Sequence, residues 1–126
     1  MDYFGFWKSS SEMSTFFIDV LQQDEFEFMK HKFRGVCYDS YGLADIVGII
    51  WEHGILFSKS YRCTAIEMGG SDNPIIYNSY KNDSSYYGEY LVDGVIVDID
   101  DEGFEVKNPA KWTGPFYLQD MNKPSR

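Results

Sequence analysis

Residues 9–23, SSSEMSTFFIDVLQQ, carry the strongest local signal in the chain. Ser9 and Glu12 have the spacing of a capping box, in which a serine hydroxyl and a glutamate three residues on satisfy free N–H groups at a helix start. Met13, Phe16, Phe17, Val20 and Leu21 then fall at i, i+3, i+4, i+7 and i+8, the apolar stripe of an amphipathic helix. The spacing predicts a first helix over about 10–23. A second is predicted from Ser40 as its cap, with Leu43, Ile46, Val47 and Ile50 as its stripe and Gly54, after His53, in the left-handed closing position. Gly42 and Gly48 each weaken that helix by about 1 kcal/mol relative to Ala, so packing against a sheet has to hold it.

The remaining text is strand-like. Residues 25–38, EFEFMKHKFRGVCY, read as a long strand with a bulge at Gly35. From residue 55 onward, apolar runs (ILFSKSYRCTAIEM, IIYNSY, YYGEYLV, VIVDI, FEVK, FYLQD) alternate with turn signals, among them Asp93-Gly94 as a two-residue hairpin. Helices early and a meander late imply an α+β fold: an antiparallel sheet of about five to six strands with two helices on one face. The length, 126 residues with 44% hydrophobic and 18% aromatic, fits a single domain over 1–126, with 121–126 expected as a flexible tail.

No run approaches the roughly 18 apolar residues of a membrane span. The N-terminus carries Asp2 and Lys8 and lacks the apolar run of a signal peptide. Cys37 and Cys63, far apart and outside any CxxC, are expected as reduced, buried thiols, and the chain as cytoplasmic.

Net charge is −9, and residues 82–106 hold eight acids and no Lys or Arg, leaving twelve acids against eleven bases elsewhere. A field of this sign attracts basic surfaces and repels nucleic acid. If Asp93-Gly94 turns a hairpin and 100–103 forms the next loop, Glu89, Asp98 and Glu105 come side by side on three strands, where like charges destabilise. Asp98, Asp100, Glu102 and Gly103 match half an EF-hand loop, but Pro109 stands where the closing Glu belongs and the flanks are strands, so no metal site is expected.

Catalytic signals are sparse. His31 and His53 have no zinc-like spacing, and no nucleophile elbow, P-loop or dinucleotide fingerprint is present. Glu89 and Asp98 could be brought close enough for glycoside chemistry, a weak enzyme reading. The cluster KHKFR, 30–34, reads as a solvated strand face. Five of the ten tyrosines (Tyr77, Tyr80, Tyr86, Tyr87 and Tyr90) precede or enter the acidic run, a composition suited to an interface.

The reading that follows is a non-enzymatic acidic module of inhibitor or immunity type without a cofactor. It would cover a basic, nucleic-acid-binding surface of a partner protein and bind neither nucleic acid nor membrane itself. Its contact residues would be Glu89, Asp98, Asp100, Asp101, Glu102, Glu105, Tyr86 and Tyr87. The alternative is a small-molecule or carbohydrate-binding domain, or a small enzyme, with a pocket between helix and sheet lined by aromatics such as Trp51, Trp112 and Tyr117. An aromatic-lined concavity would favour the second; a flat acidic surface, the first.

Overall fold

The fold is taken from a computed structural model, which describes residues 2–92, 95–100, 103–107 and 112–122, with backbone only for 95–100, 103–107 and 112. The chain is an all-β closed barrel, not an α+β sandwich. Its strands are β1 (Tyr3–Lys8), β2 (Met13–Glu27), β3 (Lys30–Asp39), β4 (Gly42–Trp51), β5 (Gly54–Tyr61), β6 (Ile75–Asn82), β7 (Ser85–Val92), β8 (Val95–Asp100), β9 (Gly103–Lys107) and β10 (Trp112–Asp120). Eight of them close in the order β1-β10-β7-β6-β5-β4-β3-β2, every pair antiparallel, while β8 and β9 form a separate two-stranded hairpin between β7 and β10 in sequence. The single described helix, α1 (Cys63–Glu67), has five residues.

Both predicted helices are strands, and the reason is visible in their burial. In β2, Phe16 and Ile18 are 1% and 0% exposed, while Met13 and Leu21 are 63% and 67% exposed. That is a period of two, with Ser14, Phe16 and Ile18 pointing into the barrel. The five-residue stripe was two strand faces read as one: Phe16 and Val20 inside, Met13, Phe17 and Leu21 outside. The capping-box hydrogen bond does exist, since Ser9 Oγ accepts from the Glu12 N–H at 3.1 Å, but it closes the β1–β2 turn, where Lys8 pairs with Met13.

β4 repeats the lesson. Ala44 and Ile46 are buried, Asp45 and Val47 exposed. Ser40 lies in the β3–β4 turn, where Asp39 pairs with Gly42 and the Asp39 carboxylate accepts the Tyr41 N–H at 2.9 Å. His53 and Gly54 close the β4–β5 hairpin instead of a helix. Gly48 has a close-approach role of a different kind: an added Cβ would fall on the Leu56 carbonyl oxygen and come 2.7 Å from Phe57 Cα and Cβ. The bulge expected at Gly35 sits on its partner strand, where Leu21 is the extra residue between Val20, opposite Gly35, and Gln22, opposite Arg34.

Side chains fill most of the barrel, as the small bore of an eight-stranded barrel allows. Phe57 and Tyr77 stack at 4.7 Å with planes 6° apart, and Phe116 meets both edge-on. Such pairs contribute about 0.5–1.5 kcal/mol each beyond burial. Of the expected tail, Met121 and Asn122 are tied to Asp2, by a backbone hydrogen bond of 2.9 Å and a side-chain bond of 3.1 Å, and 123–126 lie outside the described residues. No described helix is long and apolar enough to cross a membrane.

Candidate functional site

At one end the packing stops and the barrel opens into a cavity of about 820 Å³. Three connections form its rim: the β1–β2 turn with Ser9, Ser10, Ser11 and Glu12, the β3–β4 turn with Tyr41, and the α1–β6 segment from Gly69 to Asn73. The inner faces of the strands supply the walls: Trp7, Tyr61, Tyr77, Tyr90, Ile75 and Val92. The period-two pattern of each strand puts these residues inward, which is why aromatics from distant parts of the sequence converge.

The α1–β6 rim is held from below. Ala65 of α1 is buried in the core and packs under Gly42, whose φ of +134° and lack of Cβ leave it room. The helix is followed by Gly70, whose N–H returns to the Ala65 carbonyl at 2.9 Å, and by Ser71, whose hydroxyl accepts the Asn73 N–H at 3.2 Å. On the facing rim, Tyr41 Oη donates to Glu12 Oε1 at 2.6 Å, tying two turns together. That bond, with partial burial, pushes the Tyr41 hydroxyl up to about 12.

Tyr61 and Tyr77 back onto a buried ion pair. Lys59 Nζ lies 3.0 Å from Asp39 Oδ2, with side chains 1% and 0% exposed. It also donates to Tyr61 Oη at 2.9 Å, and it sits 4.6 and 4.9 Å from the Tyr61 and Tyr77 ring centres. Tyr61 Oη in turn donates to Asp39 Oδ2 at 2.5 Å. Desolvation alone would push the Lys59 ammonium down. Tyr77, Cys37, Tyr61 and Asp39 around it more than offset that and hold it well above its ordinary value, so it stays charged.

The cavity is acidic, with hydroxyl and amide groups of Ser9, Ser10, Ser11, Ser71, Asn73 and Thr113 beside its carboxylates. Glu12 and Asp72 are the charged groups among its described lining residues, which include no Lys or Arg. Tyr90 Oη donates to the Lys8 carbonyl at 3.0 Å, so its proton, like those of Tyr41 and Tyr61, is already engaged. Trp7 Nε1 is the one buried side-chain polar atom among the described residues without a partner. An unpartnered buried donor typically costs about 1–3 kcal/mol.

The residues expected to meet a partner are dispersed. Glu89 is exposed on β7 between Asn78 of β6 and Pro115 of β10, so the three-strand acidic row with Asp98 and Glu105 does not form. Asp98 and Glu105 do pair with each other in the β8–β9 hairpin, and Asp100 pairs with Gly103; Asp101 and Glu102 lie outside the described residues. Nor are Glu89 and Asp98 neighbours in register, which removes the geometric basis for glycoside chemistry there. Tyr86 points inward and is buried. Tyr87 is outside, 51% exposed and edge-on to Tyr117 at 5.1 Å.

The aromatics named for a ligand pocket are also elsewhere. Tyr117 is on the outer wall stacked on Phe6, Trp51 packs against an outer cluster of Leu56, Ile76 and Leu91, and the Trp112 side chain lies outside the described residues. Cys37 is buried, and burial pushes its thiol up to about 12 despite Lys59 nearby, while Cys63 is exposed, contrary to expectation. His31 approaches Glu25 at 3.6 Å and His53 approaches Glu52 at 3.2 Å. No group of three or more potential metal ligands occurs among the described residues.

The residues sequence reading missed are Trp7, Tyr41, Tyr61 and the Asp39–Lys59 pair. A signal for Lys59 was available: in ILFSKSY it shares the period-two face of Ile55, Phe57 and Tyr61. Comparison with known proteins returns no matching family, no matching curated protein and no matching solved structure.

Proposed function

We propose that this chain binds a small molecule in the open mouth of its barrel. The observation that carries this reading is the aromatic-walled cavity of about 820 Å³ at one end of the barrel. Its size lies within the range of about 300–1,000 Å³ typical of ligand sites, and barrel mouths are a recurrent place for them. The cavity's walls are strand residues fixed by the ladder, so the site is preformed and little ordering opposes binding.

The test is a nuclear magnetic resonance screen of a chemically diverse small-molecule set against the intact chain. Hits should perturb resonances of Trp7, Tyr41 and the α1–β6 segment. They should lose binding in Ile75→Trp, which fills the cavity from its wall. Hits that map to the outer wall, or that bind Ile75→Trp unchanged while its spectrum remains folded, would refute the reading.

One observation favours a second reading, the acidic module for a basic protein partner: Asp98 stands opposite Glu105 in a hairpin outside the barrel ladder. Like charges so placed are destabilising unless something cationic covers them. Affinity capture from the native host at low and high salt should then yield a salt-labile basic protein. The double variant Asp98→Lys with Glu105→Lys should lose it while staying folded, and retained capture would exclude this reading.

A further inference from the structure

We propose that the open edge of β2 takes up an extended, basic segment of a partner protein as an added strand. The proposal is independent of the mouth cavity and of the β8–β9 hairpin. β1 pairs with β2 only from Met13 to Ile18, and the next N–H on that side, of Val20, is capped by the Asp2 carboxylate at 2.7 Å. Beyond it β2 continues to Glu27, paired with β3 on one side and with no described strand on the other. In a strand paired on one side only, alternate residues turn their N–H and C=O groups away from the partner. Residues 21–27, exposed throughout, therefore present an unfilled backbone ladder.

Charge selects the occupant. Asp24, Glu25 and Glu27 lie on this stretch, and residues 20–27 contain no Lys or Arg. Two copies of the edge laid antiparallel would set these acids against one another, and like charges placed opposite each other destabilise a sheet. A nucleic acid is repelled by the same carboxylates and has no alternating donors and acceptors at strand spacing. A peptide strand has both.

β3 shows the fitting pattern on the filled side. Lys32 stands opposite Asp24, and Lys30, opposite Glu27, meets its carboxylate at 3.2 Å. Lys30 and Lys32 are two residues apart and share a face, so Asp24 and Glu27 share it too. A strand with Lys or Arg at alternate positions repeats that arrangement on the open side. Leu21 and Phe26, both exposed, add apolar contact at its ends. The register shifts at these same residues give the edge a local geometry that limits indiscriminate pairing.

The experiment titrates the intact chain with synthetic heptapeptides and follows its backbone amide resonances. The probes are KVKTKVK, its acidic counterpart EVETEVE, and KVKTKVK with every backbone amide N-methylated. KVKTKVK should perturb the amides of 21–27 and slow their hydrogen exchange, with an affinity that falls as salt is added. Asp24→Asn combined with Glu27→Gln should weaken it about tenfold, with the barrel resonances unchanged. The N-methylated peptide, equal in charge but without backbone donors, should leave 21–27 unperturbed.

Equal binding of the N-methylated peptide would show attraction by charge alone and overturn the proposal. Binding of EVETEVE at the same amides, binding of KVKTKVK elsewhere on the barrel, full affinity in the double variant, or no binding at all would overturn it as well. Concentration-dependent sedimentation with loss of the 21–27 signals would assign the edge to a second copy instead. The peptide controls use the unmodified chain, so the test holds even where the double variant fails to fold.

Discussion

The inside and the outside of the barrel wall each hold an ion pair of nearly the same length. Lys59 and Asp39 meet at 3.0 Å inside, and Arg62 and Asp45 meet at 2.9 Å outside. The chemistry is the same; the surroundings are not. The inner pair has no exposed side-chain surface to speak of, whereas the outer pair is 48% and 60% exposed. In the low dielectric of the interior, removing one member strands a charge, while in water the same pair is screened almost to nothing. The interior of this barrel is therefore specified by polar contacts as much as by apolar filling, and its wall is not.

The largest expected effect follows from the buried tyrosines taken together. Burial holds the Tyr77 hydroxyl up at about 12 against an ordinary 10.0, and it raises Tyr61 and Tyr3 further. The folded chain thus keeps protons that the unfolded chain releases, so this contribution is intact below pH 10 and is lost as pH climbs through about 12. Phenolate absorbance from these rings should appear only with the loss of β-structure, as one cooperative alkaline transition. Titration of the buried rings near pH 10 with the barrel intact would break the contrast between inside and outside.

Next in size is Asp39→Asn, which preserves shape but leaves the Lys59 ammonium without its countercharge. It should cost about 3–5 kcal/mol in denaturant unfolding. Lys59→Met should also destabilise, and the double variant should lose much less than the sum of the two, because the second change removes the charge stranded by the first. Additive losses would mean that the two side chains do not act as a pair.

How far the sequence could foretell this interior depended on which period was read. A spacing of four is common to both a helix stripe and a strand face, so Met13, Phe17 and Leu21, or Leu43 and Val47, satisfy either reading. What separates them is the spacing of three, Met13 to Phe16 and Leu43 to Ile46, which a helix needs and a strand splits between its two faces. The outer wall of this barrel carries large exposed apolar residues, Met13 and Leu21 among them, so the polar face that would have exposed the error is missing.

Most later strands were legible because Gly, Asp and Asn punctuate them, and the pairings of Asp98 with Glu105 and Ile99 with Phe104 follow from the pattern alone. The hairpin expected across Asp93-Gly94 does not pair β7 with β8, because β7 lies between β6 and β10, and residues 63–67 of the run from Ile55 are helical. Val97 with Val106 did not follow, since a register shift pairs Val106 with Ile96. The ligand site was not legible for another reason. Its aromatics come from β1, β5, β6 and β7 and meet only when the barrel closes. No local spacing encodes that closure.

The smallest expected effect is on the outer wall, and it is the control for the rest. Arg62 donates to Asp45 through two nitrogens, Nη2 at 2.9 Å and Nε at 3.4 Å, and that hydrogen bonding holds the Asp45 carboxyl below its ordinary value. The sign is opposite to that of the tyrosines: a lowered carboxyl contributes above its unfolded value and loses the contribution as pH falls. Because both side chains stand in water, the pair is screened and its ordering entropy offsets what attraction remains. Arg62→Gln and Asp45→Asn should each leave the denaturation midpoint at neutral pH unmoved within error, at low and at high salt. A loss on the scale of Asp39→Asn would show that exposure is not what separates the two pairs, and the account of the interior would have to rest on packing instead.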